Sequence, residues 1–260
     1  MKTIILIPAR YASSRYPGKP LVMLKDKDGH TKSLIQRSWE AAVSVKGVDE
    51  VHVATDDDRI RDAALAFGAR VVMTAESCVN GTERCADAIR NLGVTADIII
   101  NLQGDAPLTP AWFVEALIDE MKAHPEVQMA TPVLRCDHET YANFIEDRRN
   151  GRVGGTTAVF DNRMNALYFS KEVLPYTGGS FGPGDEIPVF HHVGVYAYRQ
   201  SALNAYMGWR AGPLERHEGL EQLRFLENGT AIRCVEVDSR GRVFWELNNP
   251  VDVARIESVI

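Results

Sequence analysis

The chain has 260 residues, 45% of them hydrophobic and 25% charged, with a formal net charge of −6. That length allows one large α/β domain or two small ones around a sizeable core, and the composition is that of a soluble globular protein. An acidic chain has no general basic surface, which argues against non-specific binding to nucleic acid or to anionic membranes.

Met1-Lys2-Thr3 leads straight into the apolar run Ile4–Ile7, which is too short for a secretory signal core or a membrane span. Further short apolar, β-branched runs at Val51–Ala54, Arg70–Met73 and Ile98–Leu102 join Thr3–Ile7 as strand candidates. Between them, 33–44, 58–67 and 82–92 carry apolar residues at helical spacing. Strands that are apolar throughout, alternating with helices, predict a doubly wound, mainly parallel α/β sheet of Rossmann-like type covered on both faces. Beyond about residue 127 the texture changes to a smaller mixed α+β lobe. Its strand candidates are Gln128–Leu134, Thr156–Phe160, Ala166–Ser170, Val193–Tyr198 and Ala231–Val237, separated mostly by glycine-rich loops, of which 178–184 reads as mobile. Helices are expected again at 218–227 and 250–258. No linker splits the chain, so 1–127, 128–237 and 238–260 read as parts of one continuous domain. Cys78, Cys85, Cys136 and Cys234 lack CxxC spacing, which fits reduced thiols in a cytoplasmic protein.

Two features carry chemistry. Directly after the first strand stands "IPARYASSRYPGKPL", with Arg10, Arg15 and Lys19 within ten positions and Gly18 permitting close backbone approach. In parallel α/β sheets ligands bind beyond the carboxyl ends of strands. Three cations there suit a polyphosphate held mainly by side chains, since neither GxxxxGK[ST] nor GxGxxG is present. The competing reading is a solvated surface loop. The fourth strand runs into "NLQGDAPL", placing Asp105 at a second strand end. A carboxylate there suits Mg2+, which prefers oxygen ligands and commonly bridges phosphates; the plainer role is to close a turn before Pro107.

In chain order, "IPARYASSRYPGKPL", "VATDDDRI", "VVMTAESCVNGTER", "NLQGDAPL", "ALYFSK", "HHVGVYAYR" and "LEQLRFLENG" together resemble the CMP-3-deoxy-manno-octulosonate (KDO) synthetases across nearly the whole chain. The resemblance implies a cytidylyltransferase in which the anomeric hydroxyl of a 2-keto-3-deoxy sugar acid attacks the α-phosphate of CTP, giving a CMP-sugar and pyrophosphate for lipopolysaccharide assembly. It implies that Arg10, Arg15 and Lys19, with Pro8 and Ala9, hold the CTP phosphates, while Asn80, Gly81, Thr82, Arg84 and Gln103 recognise cytosine and ribose. It places Mg2+ on Asp105 and, from the C-terminal segment 238–260, on the residue at Asn248; Arg10, Lys19 and Asp105 form the catalytic group. It assigns the sugar acid to Gln103, Lys171, His192, Tyr196, Glu221 and Gln222 within or beside the acceptor part 128–237. Read without the resemblance, His192 could be an ordinary hydrogen-bonded histidine, Tyr196 a core residue, and Glu221 and Gln222 a solvated helix face. A homodimer is implied, with the aromatic strands Ala166–Ser170 and Val193–Tyr198 as the expected interface.

Three departures from the family pattern stand out. Lys171 replaces an arginine, keeping charge but losing bidentate recognition of a carboxylate. Asn248 replaces an aspartate, so the second metal position is expected to weaken or move toward Glu246 or Asp252, although Asp252 after Pro250 also suits a helix start. Ala106 replaces a glutamate. All three lie on the metal and acceptor side, suggesting a conventional nucleotide and an altered sugar acid, for instance one bearing an amino group. Alternatives are a nucleotidyltransferase for a sugar 1-phosphate, a glycosyltransferase of similar topology, and a degenerate nucleotide-binding paralogue.

Overall fold

The computed structural model describes all residues except 13–15, 154, 180, 183, 243–246, 248, 249 and 251. Strand β1 (Thr3–Ala9) emerges into the cationic loop, which ends in a 3-10 turn at Lys19–Leu21. The hairpin β2 (Met23–Lys25) and β3 (Thr31–Ser33) and helix α1 (Leu34–Val43) follow. Next come β4 (Glu50–Thr55), α2 (Asp58–Ala66), β5 (Arg70–Met73), α3 (Gly81–Leu92), β6 (Ile98–Leu102) and α4 (Ala111–Ala123). The second half comprises β7 (Met129–Arg135), α5 (His138–Arg149), β8 (Thr156–Phe160), β9 (Ala166–Ser170), β10 (Phe190–His192) and β11 (Val195–Tyr198). It finishes with α6 (Gln200–Met207), α7 (Pro213–Glu218), α8 (Leu223–Glu227), β12 (Arg233–Val237) and α9 (Asp252–Glu257).

Local chemistry sets the helix starts. Ser33, Asp57, Asn80 and Asp137 each accept a backbone N–H of the first turn, from Gln36, Arg59, Glu83 and Thr140 respectively. The continuous apolar runs are explained by burial on both sides. Ile5 and Ile7 of β1 face one core with α1, α2 and α4, while Ile4 and Leu6 face another with α3, α6 and α8.

Strands β5-β4-β1-β6 are parallel, and β11 then pairs antiparallel with both β6 and β7. From β7 the sheet continues through β10 and β8 to β9, and β12 runs parallel to β7. The strands of 128–237 therefore extend the first sheet and do not build a separate one.

Two expectations change. The helix expected over 218–227 is broken: Gly219, at φ +63, terminates α7, and α8 starts only at Leu223. Glu221 and Gln222 thus lie in a turn, and Gln222 is 1% exposed, so neither belongs to a solvated helix face. The strand expected at Val193–Tyr198 is central as β11, with all four residues buried and both edges bonded, so it offers no surface to a partner. Strand β9 differs: it ends the sheet, and its Leu167 is 64% exposed.

Candidate active site

The carboxyl ends of β1 and β6, adjacent in the sheet, bring the two sequence motifs together. Gly18 stands at φ +71 and its N–H donates to the Tyr11 carbonyl at 2.9 Å, closing the cationic loop. The Arg59 guanidinium lies 3.3 Å from the Tyr11 ring centroid and braces the loop from α2. Past β6, a Cβ on Gly104 would approach the Pro8 carbonyl oxygen to 2.8 Å, so only glycine lets the second loop pack this closely on the first. The result is an ion pair: Lys19 Nζ donates to Asp105 Oδ2 at 2.6 Å, with side chains 15% and 25% exposed. Arg10 is exposed and donates to the Val79 carbonyl at 3.2 Å, linking the loop to the approach to α3.

The start of α3 supplies the next wall. The Asn80 side chain caps the helix through Oδ1, and its Nδ2 donates to the Tyr206 hydroxyl at 3.0 Å. Thr82 is buried, with its hydroxyl 2.8 Å from the Tyr198 hydroxyl. The Gly81 and Thr82 N–H groups donate to Glu221 Oε2 at 2.8 and 3.4 Å, and Gln103 Nε2 donates to Glu221 Oε1 at 3.3 Å. Burial pushes the Glu221 carboxyl above its ordinary range, against the opposing pull of those amides.

Arg84, expected beside the nucleotide, is engaged with protein partners. It is 2% exposed and donates to Asp56 Oδ2 at 3.0 Å, to the Thr74 hydroxyl and to the Cys78 carbonyl, so it ties the ends of β4 and β5 to α3. The helical period explains this, since the fourth residue of α3 points back toward the sheet.

The acceptor candidates gather on the α3 side of β6 and β11. Tyr196 stands opposite Asn101 in the ladder, and its hydroxyl donates to Gln222 Oε1 at 3.1 Å. His192 is buried between Phe169 and Tyr196, with ring centroids 4.8 and 5.6 Å away. Its Nε2 lies 3.0 Å from the Thr131 hydroxyl, which in turn donates to the Val195 carbonyl at 2.9 Å, so Nε2 carries the proton. Burial lowers the His192 pKa to about 3 and that of His191 to about 4, which keeps both rings neutral. His192 thus supports Tyr196 from behind. Lys171 donates its N–H to Glu218, which also accepts from Ser170 and Tyr168. Its ammonium lies over the α7–α8 turn, 3.1 Å from where a Gly219 Cβ would stand.

Asp105 can serve as a metal ligand through its carboxylate oxygens. Among the described residues it belongs to no cluster of three acidic, histidine or cysteine ligands; the one such cluster, Asp26, Asp28 and His30, lies in the β2–β3 hairpin. A single carboxylate still fits Mg2+, which takes one or two protein oxygens and completes its shell with phosphates and water. The C-terminal segment does return here, since the Leu247 N–H donates to the Asp105 carbonyl at 2.9 Å. Arg15, Glu246 and Asn248 lie outside the described residues.

Sequence reasoning passed over Asn101 and Glu218. The signal for Asn101 was visible, an amide inside the otherwise apolar strand Ile98–Leu102. Glu218 carried none, because its partners are 47 to 50 residues away.

A cytidylyltransferase family model matches residues 4–232, most of the chain. The chain belongs to the cytidylyltransferase family. Among curated relatives, the 3-deoxy-manno-octulosonate cytidylyltransferase of Maricaulis maris is 45% identical over 260 residues, covering 100% of this cytidylyltransferase and 97% of that protein. The 8-amino-3,8-dideoxy-manno-octulosonate cytidylyltransferase of Shewanella frigidimarina is 41% identical, covering 99% and 98%. A solved CMP:2-keto-3-deoxy-manno-octonic acid synthetase, complexed with CTP, superposes with a TM-score of 0.82 at 35% identity, covering 99% and 98% of the two chains. The cytidylyltransferase has buried, unpaired thiols at all four cysteines. Among its described residues no helix is long and apolar enough to cross a membrane.

Proposed function

We propose that this cytidylyltransferase transfers CMP from CTP to the anomeric hydroxyl of a sugar acid with the 3-deoxy-manno-octulosonate skeleton, releasing pyrophosphate. The observation that carries the reading is the meeting of Lys19 with Asp105 at 2.6 Å, where the cationic loop and the β6 end face the start of α3. Relatives named for this reaction match along the whole chain.

Phosphoryl transfer asks a protein for position and charge more than for a nucleophile. Arg10 and Lys19, joined by Arg15, hold the triphosphate, and Lys19 leaves Asp105 to follow the phosphates. As the anomeric hydroxyl gives up its proton to solvent, its oxygen–phosphorus bond forms and the bond to the leaving pyrophosphate breaks, and those cations neutralise the departing charge. When bound, Mg2+ on Asp105 adds Lewis-acid neutralisation of phosphate oxygens. Asn80, Gly81, Thr82 and Gln103 line the nucleotide side, with Arg84 holding their loop in place from behind. Lys171 receives the acid's carboxylate as a point charge. Tyr196, Glu221 and Gln222 face the sugar, and His192 keeps Tyr196 in place. We further propose cytosolic action, supported by the four unpaired cysteines, and homodimerisation through the exposed face of β9.

The test is pyrophosphate release from CTP and Mg2+ with 3-deoxy-manno-octulosonate and its 8-amino-3,8-dideoxy analogue, with the product weighed by mass spectrometry. A CMP adduct of either acid is expected. No adduct with either, alongside intact CTP binding, would overturn the reading.

A further inference from the structure

Burying an amide with no partner is unfavourable, and native structures seldom tolerate it without a reason. Among the described residues, Asn101 is the one side chain with two buried polar atoms, Oδ1 and Nδ2, that lack any hydrogen-bond partner. Gln222 nearby adds a third, its Nε2, while its Oε1 accepts from Tyr196. Both residues are essentially inaccessible to water, at 0% and 1% exposure.

Their location gives these atoms a purpose. A Cβ on Gly81 would stand 3.2 Å from Asn101 Nδ2, 3.0 Å from Gln103 Nε2 and 3.3 Å from Glu221 Oε1. Three polar groups thus converge on one point that the missing side chain leaves to them. The Glu221 carboxylate also accepts from the Gly81 N–H at 2.8 Å, so the same side chain borders this point.

The amide's chemistry selects the ligand group. A carboxylate wants donors alone and an ammonium wants acceptors alone. A carboxamide offering one free donor face and one free acceptor matches a hydroxyl, which both accepts and donates. We propose that Asn101, assisted by Gln222 Nε2, reads a hydroxyl of the sugar acid and is a specificity residue of the acceptor site. This rests on the function proposed above. Lys171 then takes the carboxylate and Asn101 the polyol, so two chemically distinct ends of one acid are recognised by different residues.

The experiment compares Asn101→Leu and Asn101→Asp with wild type, measuring KM for the sugar acid, the dissociation constant for CTP and the melting temperature. Leucine has nearly the same shape and no polar atoms. For Asn101→Leu we expect a melting temperature equal to or above wild type, CTP binding within twofold, and an acid KM raised roughly 10- to 100-fold. Asn101→Asp, which keeps the acceptor face, should fall between. An acid KM within twofold for Asn101→Leu would overturn the proposal and leave Asn101 an unpaired core amide. Loss of CTP binding together with a lower melting temperature would also overturn it, by showing a purely structural role. Absence of turnover with either acid in wild type would remove the underlying function and this proposal with it. That result is distinct from turnover that ignores Asn101.

Discussion

Replacing Lys19 by methionine removes one charge from the centre of the site while keeping most of the side-chain volume. In the free protein that charge is held by Asp105 at 2.6 Å, with both side chains about one-fifth exposed on average (15% and 25%). The pair lies between an exposed ion pair, worth about 0.2–1 kcal/mol, and a buried one, whose breaking costs about 3–5 kcal/mol. An intermediate value of about 1.4 kcal/mol corresponds to a tenfold change in an equilibrium constant. A divalent cation binding Asp105 without nucleotide must displace Lys19, so Lys19→Met should bind Mn2+ roughly tenfold more tightly, by that conversion. Turnover should move the opposite way. Loss of a cation placed on developing phosphate charge costs on the order of 10²–10³ in kcat. Calorimetric titration of Mn2+ into nucleotide-free protein, beside pyrophosphate release with CTP, reads both. Unchanged or weaker Mn2+ binding would refute the competition between Lys19 and metal. Near-normal turnover would refute the phosphate role.

Other perturbations have distinct expectations. Gly104→Ala forces a Cβ against the Pro8 carbonyl at 2.8 Å; a loss of roughly 1–3 kcal/mol in denaturant unfolding is expected, with reduced CTP affinity because Asp105 is the next residue. Arg84→Met leaves Asp56 without its buried partner and should cost about 3–5 kcal/mol, seen as a lower denaturation midpoint with CTP binding weakened only as far as the α3 loop loosens. The half-buried His191 and the buried His192, with pKa values of about 4 and about 3 against 6.5, stay neutral in the fold but bind protons when unfolded. Stability is therefore lost as pH falls below about 6.5, by about 2 kcal/mol for each ring at pH 5. Melts from pH 7 to 5 should show that slope, and His192→Gln should flatten it.

The first three strand–helix units were legible because their strands are apolar and α1, α2 and α3 begin at capping residues, whereas α4, which starts after Pro110 without a side-chain cap, was not read. Strands at Arg70–Met73 and Ile98–Leu102 were placed to the residue. Helix α5 went unread since it buries mainly Tyr141 and Phe144 within a polar segment, leaving little periodicity. The three-residue strands β2, β3 and β10 are too short to show alternation. The meeting of Lys19 with Asp105 followed from both lying after strand ends, a positional rule that sequence can express. The insertion of β11 beside β6 could not be read, because strand order depends on long-range pairing. The same reason hid Arg84's burial and the turn that carries Glu221.

That insertion has a consequence for how such enzymes diversify. Tyr196 is hydrogen-bonded in register with Asn101, two residues before Gln103 and four before Asp105. Under the function proposed above, one ladder aligns the nucleotide side with the acceptor side. A slip of one residue in β11 would send Tyr196 to the opposite face, so exchanging 128–237 between relatives succeeds only when that register is retained. Under that reading, new acceptor preferences arise by changing side chains in place and not by trading halves.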